Sequence, residues 1–305
     1  MEKFTHPDIT AKGEQRAWVN LTKLETLWLN TGTLCNIECQ NCYIESSPKN
    51  DRLVYLKLDE AREYLDEIER GNLGTVEIGI TGGEPFMNPD ITPIMELILE
   101  RGFKLLLLTN AMKPMEQKRE SLLGLLARFG DQMTVRISVD HFTPALHEEE
   151  RGASTWEPML KGLQWLSSQG FHIDIAGRTR WGEDETELRA GFSNLFNVLG
   201  VKIDAQDSKK LILFPEMDEQ AEVPEITTDC WDILKVNPDS MMCATSRMVI
   251  KRKGADKPSV LACTLLPYDD EFEMGNTLKQ AAGSVKLNHP HCAKFCVLGS
   301  GSCSV

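Results

Sequence analysis

Between residues 26 and 214 the apolar positions switch repeatedly between two periods. Short runs of bulky apolar residues read as strands: LETLWLN (24–30), TVEIGIT (75–81), FKLLLLT (103–109), MTVRISV (133–139), FHIDIAG (171–177) and a weaker KLILF (210–214). The longer segments between them repeat at helical spacing. Around 59–70, Leu58, Ala61, Leu65 and Ile68 share one face, and 156–169 is opened by Thr155 and stopped by Gly170. Six βα units are more than a small doubly wound sheet needs and fewer than a closed eight-stranded barrel contains. The expected fold is therefore α/β, a partial (β/α)6, TIM-like barrel.

In such barrels chemistry collects just past the C-terminal ends of the strands. Those positions hold Cys35, Cys39 and Cys42 after the first strand, Gly82-Gly83-Glu84-Pro85 after the second, Thr109-Asn110 after the third, Asp140 after the fourth, and Arg178 with Arg180 after the fifth. Beyond 215 the alternation fades into a polar, Pro-punctuated stretch. The organisation expected is an N-terminal extension (1–23), the barrel (24–215), a linker (216–235) and a small C-terminal unit (236–305). That unit combines a β-hairpin, MVIKRKG with SVLACTLL, and a helical patch near 275–286.

The chain has 305 residues, 41% of them hydrophobic, enough to bury ~75% of its unfolded surface. With 33 Lys and Arg against 46 Asp and Glu, the net charge of −13 argues against nucleic acid as a partner, because phosphate binding draws on clustered cations. No window reaches the ~20 apolar residues of a membrane span, and the polar opening has no signal-peptide core. A cytoplasmic protein without a membrane partner is expected. Nine cysteines in a reducing compartment then point to metal sites rather than disulfides.

Three thiols spaced C-x3-C-x2-C on one loop can converge on one inorganic centre. A structural zinc ion needs a fourth ligand, and no His or Cys follows closely after Cys42. A [4Fe–4S] cube held by three thiolates keeps one iron open for a ligand. Both readings stand on spacing alone.

The run CNIECQNCY (35–43), followed by TGGEPFMNPD (81–90), resembles the radical S-adenosylmethionine (radical SAM) superfamily, and TNA at 109–111, SVD at 138–140 and LHEEERG at 146–152 agree with it. The resemblance implies that Cys35, Cys39 and Cys42 hold a [4Fe–4S] cluster whose open iron chelates S-adenosylmethionine (SAM). Reduction by a flavodoxin- or ferredoxin-type donor would cleave SAM to a 5′-deoxyadenosyl radical that abstracts hydrogen from the substrate. It further implies cofactor contacts from Tyr43, Gly82, Gly83, Asn110, Ser138, Asp140 and Arg178. Glu84 would help hold the SAM ammonium group. Close approach of the backbone to the methionine moiety would explain the two glycines. Read without the cysteines, the Gly-Gly-Glu-Pro run is an ordinary strand-to-helix turn with Asp90 capping the next helix. One position departs from the family, where an aromatic residue commonly precedes the third cysteine: here it is Asn41.

The C-terminal cysteines resemble the twitch and SPASM extensions of radical SAM maturases and dehydrogenases. That likeness implies one auxiliary [4Fe–4S] cluster on Cys243, Cys263, Cys292 and Cys296, with Cys303 as a further candidate. A zinc site using His289 or His291 is the alternative. Cys230 reads either as a small buried hydrophobe or as a thiol returning hydrogen to a substrate radical.

The function expected is a radical SAM oxidoreductase, a dehydrogenase, epimerase or peptide maturase, in which the auxiliary cluster assists oxidation or epimerisation. Peptide maturases of this family often carry an N-terminal winged-helix segment, whereas only 23 residues precede the first strand here. This favours a sugar-like small molecule, or a peptide delivered by another protein, over a directly bound precursor peptide. A zinc or iron–sulfur module that merely binds a partner is the non-enzymatic alternative.

Overall fold

Each of the six apolar runs becomes a parallel strand of one sheet in the computed structural model, which describes residues 2–216, 218 and 222–299. They are β2 (Thr26–Asn30), β3 (Glu77–Thr81), β4 (Lys104–Thr109), β5 (Met133–Asp140), β6 (His172–Arg178) and β7 (Leu211–Phe214), after a two-residue strand β1 (Trp18–Val19). The intervening helices are α1 (Leu58–Gly71), α2 (Ile91–Glu100), α3 (Lys113–Glu116), α4 (Arg119–Phe129), α5 (Pro144–Arg151), α6 (Trp156–Gln169) and α7 (Glu185–Leu199). Gly170 adopts the left-handed conformation that ends α6 where the sequence placed its stop.

The two faces of the sheet do different work. Leu27, Leu29, Ile78, Ile80, Leu105, Leu107, Val135, Ile137, Ile173 and Ile175 pack with the helices in the main core. Alternate residues point to the other face, where Trp28, Leu106, Met248, Ile250 and Leu261 form a separate cluster. A Cβ at Gly79 would lie 2.4 Å from the Trp28 ring, so the glycine makes room for the indole. Further along the same face, Asp174 pairs with Arg136 at 3.6 Å and with Lys210 at 3.0 Å.

The expected C-terminal hairpin forms from β8 (Ser246–Ile250) and β9 (Ser259–Leu261), but it extends the barrel sheet. β8 pairs parallel to β2, giving eight strands in the order β7-β6-β5-β4-β3-β2-β8-β9. A second core joins Ala17 and Val19 of the N-terminal extension, Val223 and Ile226 of the linker, and the C-terminal cysteine region. Arg16 fastens this layer: its buried guanidinium meets Glu225 at 2.5 Å and the carbonyls of His6, Ile9 and Leu287.

Two local expectations are corrected. The helical patch near 275–286 is a single 3-10 turn at Gln280–Ala282 followed by β10 (Val285–Lys286), which pairs with β1. Gly275 sits at φ +106, and Gln280 Oε1 accepts from the backbone N–H of Asn276 and Thr277, closing a turn that competes with a helix. The helical element of this region lies later, at Cys292–Val297. Asp90 does precede α2, but its carboxylate accepts from the backbone N–H of Leu58 at 3.0 Å, so it caps the start of α1 instead.

Candidate cofactor site

The loop after β2 carries the first three cysteines and is pinned at its base. Cys35 N–H donates to Ser47 O at 3.1 Å, Glu45 N–H to Cys42 O at 2.8 Å, and Ser46 N–H to Cys42 Sγ at 3.3 Å. The glycine turn after β3 lies directly beneath. A Cβ at Gly83 would fall 2.3 Å from Leu34 O, and one at Gly82, where φ is +144, would fall 2.6 Å from Gly32 O. These glycines are therefore required by the cysteine loop's own backbone, to which Gly83 N–H donates at 2.8 Å. Both glycines also line the cavity at the strand ends, where the expected close approach to a methionine moiety would take place.

Glu84 is buried, and its side chain joins two strand ends. Its carboxylate accepts from the Thr109 hydroxyl at 2.9 Å, from Asn110 N–H at 2.9 Å and from Phe86 N–H at 3.2 Å. Burial pushes its carboxyl up to about 7, against the lowering effect of those donors. α6 presses on the next turn because Gly162 lacks a Cβ, which would otherwise meet Ala111 O at 1.9 Å. Asn110 is thereby set with its Nδ2 donating to Asn36 Oδ1 at 2.9 Å.

A β-bulge between Ser138 and Asp140 ends β5 and leaves Asp140 at φ +57. Asp140 accepts from Arg151 Nε at 2.5 Å and Arg178 Nε at 3.2 Å. Burial pushes its carboxyl up, yet the two guanidinium groups outweigh this and hold it below the usual range. Beside it, Glu150 reaches from α5 to the cysteine loop and to Arg178 and Arg180.

One cavity of about 120 Å³ collects these strand ends. Cys35, Cys39, Cys42, Tyr43, Gly82, Gly83, Asn110, Ser138 and Arg178 all line it, as does Arg151. Glu84 and Asp140 are not among the lining residues. The Glu84 carboxylate, expected to help hold an ammonium group, meets Thr109, Asn110 and Phe86 at the back of this cavity. Arg178 Nη1 is buried with no hydrogen-bond partner among the described residues, an open donor fit for a ligand carboxylate.

The donor chemistry also suits a cationic inorganic centre. Burial pushes the Cys35 thiol up to about 12 and the Cys39 thiol up to about 11, so these groups become thiolates only beside added positive charge.

The C-terminal cysteines meet at a second place. Cys243, Cys263, Cys292 and Cys296 line one apolar cavity of about 20 Å³ together with His291, while His289 is not among its lining residues. Leu265 N–H donates to Cys263 Sγ at 3.2 Å, and burial pushes the Cys243 thiol up to about 11. Cys303 lies outside the described residues. Cys230 opens the short helix α8 (Cys230–Leu234), where its sulfur accepts from Thr227 N–H at 3.4 Å. It lines neither of these two cavities. Tyr43 links the two places: it lines the first cavity and packs against the core that contains the second.

Thr109, read with Asn110 as a strand-end residue, finds its partner in Glu84, whereas sequence reasoning gave no role to Arg151 and Glu150. Both sit in LHEEERG, a run the family resemblance includes without giving its charges a role; in the fold Arg151 meets Asp140 and Glu150 meets Arg178.

A partial barrel with thiols, a glycine turn and an open guanidinium converging at the strand ends defines a class of proteins that bind a charged ligand beside an inorganic centre. The chain belongs to the radical SAM superfamily, whose model matches residues 29–185, just over half of it. The subtilosin biosynthesis protein AlbA of Bacillus subtilis is 29% identical over 143 residues, covering 47% of this chain and 30% of that protein. The mycofactocin maturase MftC of Mycobacterium tuberculosis is 28% identical over 137 residues, covering 45% and 33%. The chain thus spans about a third of the length of these relatives. Among solved structures, Streptococcus suis SuiB bound to S-adenosylmethionine superposes with a TM-score of 0.58 at 14% identity, over 84% of this chain and 63% of that one. The anSMEcpe protein with bound AdoMet gives 0.57 at 16% identity, over 84% and 76%. At these identities the likeness is one of fold. No helix among the described residues is long and apolar enough to cross a membrane.

Proposed function

We propose that this chain binds a [4Fe–4S] cluster on Cys35, Cys39 and Cys42, cleaves SAM reductively beside it, and uses the radical so formed to modify a peptide substrate. The observation that carries this reading is the single cavity lined by all three thiols, the Gly82-Gly83 turn, Asn110, Ser138 and Arg178. When bound, the reduced cluster supplies the electron that splits the SAM sulfonium bond. The residues of the chain bind and orient. Arg178 offers Nη1 to the methionine carboxylate, with Asp140 fixing its Nε, and Asn110 and Ser138 present polar groups from neighbouring strand ends. Tyr43 closes the wall toward the second core.

Relatives turn the substrate from a sugar-like small molecule toward a peptide. AlbA is a bacteriocin biosynthesis protein, MftC is a maturase, and SuiB has been solved with its precursor peptide SuiA. The four C-terminal cysteines around one cavity support an auxiliary cluster that takes up an electron during oxidation, with a flavodoxin- or ferredoxin-type protein as donor. One observation favours a second reading of that site: His291 lines the same cavity and offers an imidazole beside the thiols for a zinc ion.

Metal analysis and electron paramagnetic resonance (EPR) of the anaerobically reconstituted chain test both centres. Roughly eight irons per chain and a reduced-cluster signal that changes on adding SAM are expected. Roughly four irons with one zinc selects the second reading of the C-terminal site, and a signal indifferent to SAM contradicts the proposed function. The substrate is tested by mass spectrometry after incubation with synthetic precursor peptides encoded beside the gene.

A further inference from the structure

Glu150 is the last acidic residue of α5, and its side chain is fully buried. Its carboxylate accepts from the Asn41 backbone N–H at 3.1 Å and from Asn41 Nδ2 at 2.9 Å, while its own carbonyl accepts from Gln40 N–H at 2.8 Å. The same carboxylate accepts from Arg180 Nη1 at 3.1 Å and pairs with Arg178 Nη2 at 3.5 Å. One buried anion therefore holds the residue before Cys42 and the guanidinium of Arg178, a residue that lines the cavity and whose buried Nη1 has no hydrogen-bond partner among the described residues.

We infer that Glu150 is a positioning residue that couples the cysteine loop to Arg178, so that the bearing of Cys42 and the aim of Arg178 Nη1 are set together. This rests on the SAM-binding reading given above. Arg178 is held at Nε by Asp140 and at Nη2 by Glu150, which leaves its third nitrogen a narrow range of directions. Asn41 contributes a short polar side chain that reaches this anion, and the carboxylate contact takes over the anchoring of the turn. Glu150→Gln places an amide donor among four donors and removes the charge, so the turn and Arg178 loosen as a unit.

The test uses the reconstituted full chain and its Glu150→Gln and Asn41→Ala variants. Three quantities are read: iron per chain, the SAM-dependent change in the EPR signal of the reduced cluster, and the SAM concentration that half-saturates this change. Glu150→Gln is expected to keep its iron while half-saturation rises about tenfold, the scale of one lost charge-assisted bond. Asn41→Ala raises it by a smaller factor, and the double variant falls short of the product of the two. A merely structural Glu150 would lower iron content without moving the half-saturation of the loaded fraction. If Glu150→Gln does not fold, Asn41→Ala decides: a rise supports the coupling and an unchanged value overturns it. A wild-type chain without any SAM response removes the underlying reading, whereas variants that respond just as a responsive wild type does overturn this inference alone.

Discussion

The Glu84 carboxylate accepts from the Thr109 hydroxyl with both oxygens, at 2.9 and 3.0 Å, and so ties the turn after β3 to the end of β4. The contact is buried, and it makes the acidic residue of the glycine turn a strut behind the cavity.

Its raised carboxyl makes the strut pH-dependent. A group whose folded value lies near 7, above its ordinary 4.5, contributes stability that is present at acid pH and is lost as pH rises through about 7. Denaturant midpoints of the metal-free chain should therefore fall between pH 5 and pH 8, and Glu84→Gln should flatten that fall. An unchanged slope in the variant would show that Glu84 is already ionised at pH 5.

Gly83 and Gly124 separate a required glycine from a dispensable one. A Cβ at Gly83 meets Leu34 O at 2.3 Å, whereas one at Gly124 in α4 meets nothing within 4 Å. Gly83→Ala should destabilise by about 1–3 kcal/mol and reduce bound iron, since the cysteine loop must move. Gly124→Ala should be neutral or stabilise by up to about 1 kcal/mol, as read from paired thermal scans with metal analysis.

Arg16 and Glu225 bury an ion pair between the N-terminal extension and the segment before α8, with side chains 0% and 6% exposed. Glu225→Ala leaves the Arg16 guanidinium uncompensated in the second core and should cost about 3–5 kcal/mol. Urea denaturation monitored at Trp18 and Trp231 would detect it. A loss below about 1 kcal/mol would mean that the three backbone carbonyls around Arg16 suffice.

Cys243 and Cys230 should part company. Cys243 lines the C-terminal cavity and Cys230 lines neither cavity. Cys243→Ala should remove the C-terminal centre, roughly four irons if that centre is a cluster, while Cys230→Ala leaves metal content and SAM cleavage unchanged. Equal losses in the two variants would move Cys230 into the metal set.

The strands were legible because each is a short apolar run buried on both faces, and the N-terminal cysteines with the glycine turn were legible because they are local in the chain. What was hidden depends on contacts distant in sequence. The pairing of β8 with β2 joins residues 26–29 to 246–249, and nothing in either run announces the other. Glu150 and Arg151 gain their roles only through contacts with Asn41, Asp140 and Arg178, which the sequence does not announce. The turn at 275–283 escaped because Gln280, a good helix former, spends its side chain on the backbone of Asn276 and Thr277.

The proposed function requires that the cavity beside Cys35, Cys39 and Cys42 hold SAM where one electron can cleave it. Dithionite reduction of the anaerobically reconstituted chain with SAM, followed by chromatography, measures this directly. 5′-Deoxyadenosine and methionine are expected in equal amounts, both abolished by Cys39→Ala. A chain with its full iron complement that releases neither product would contradict it.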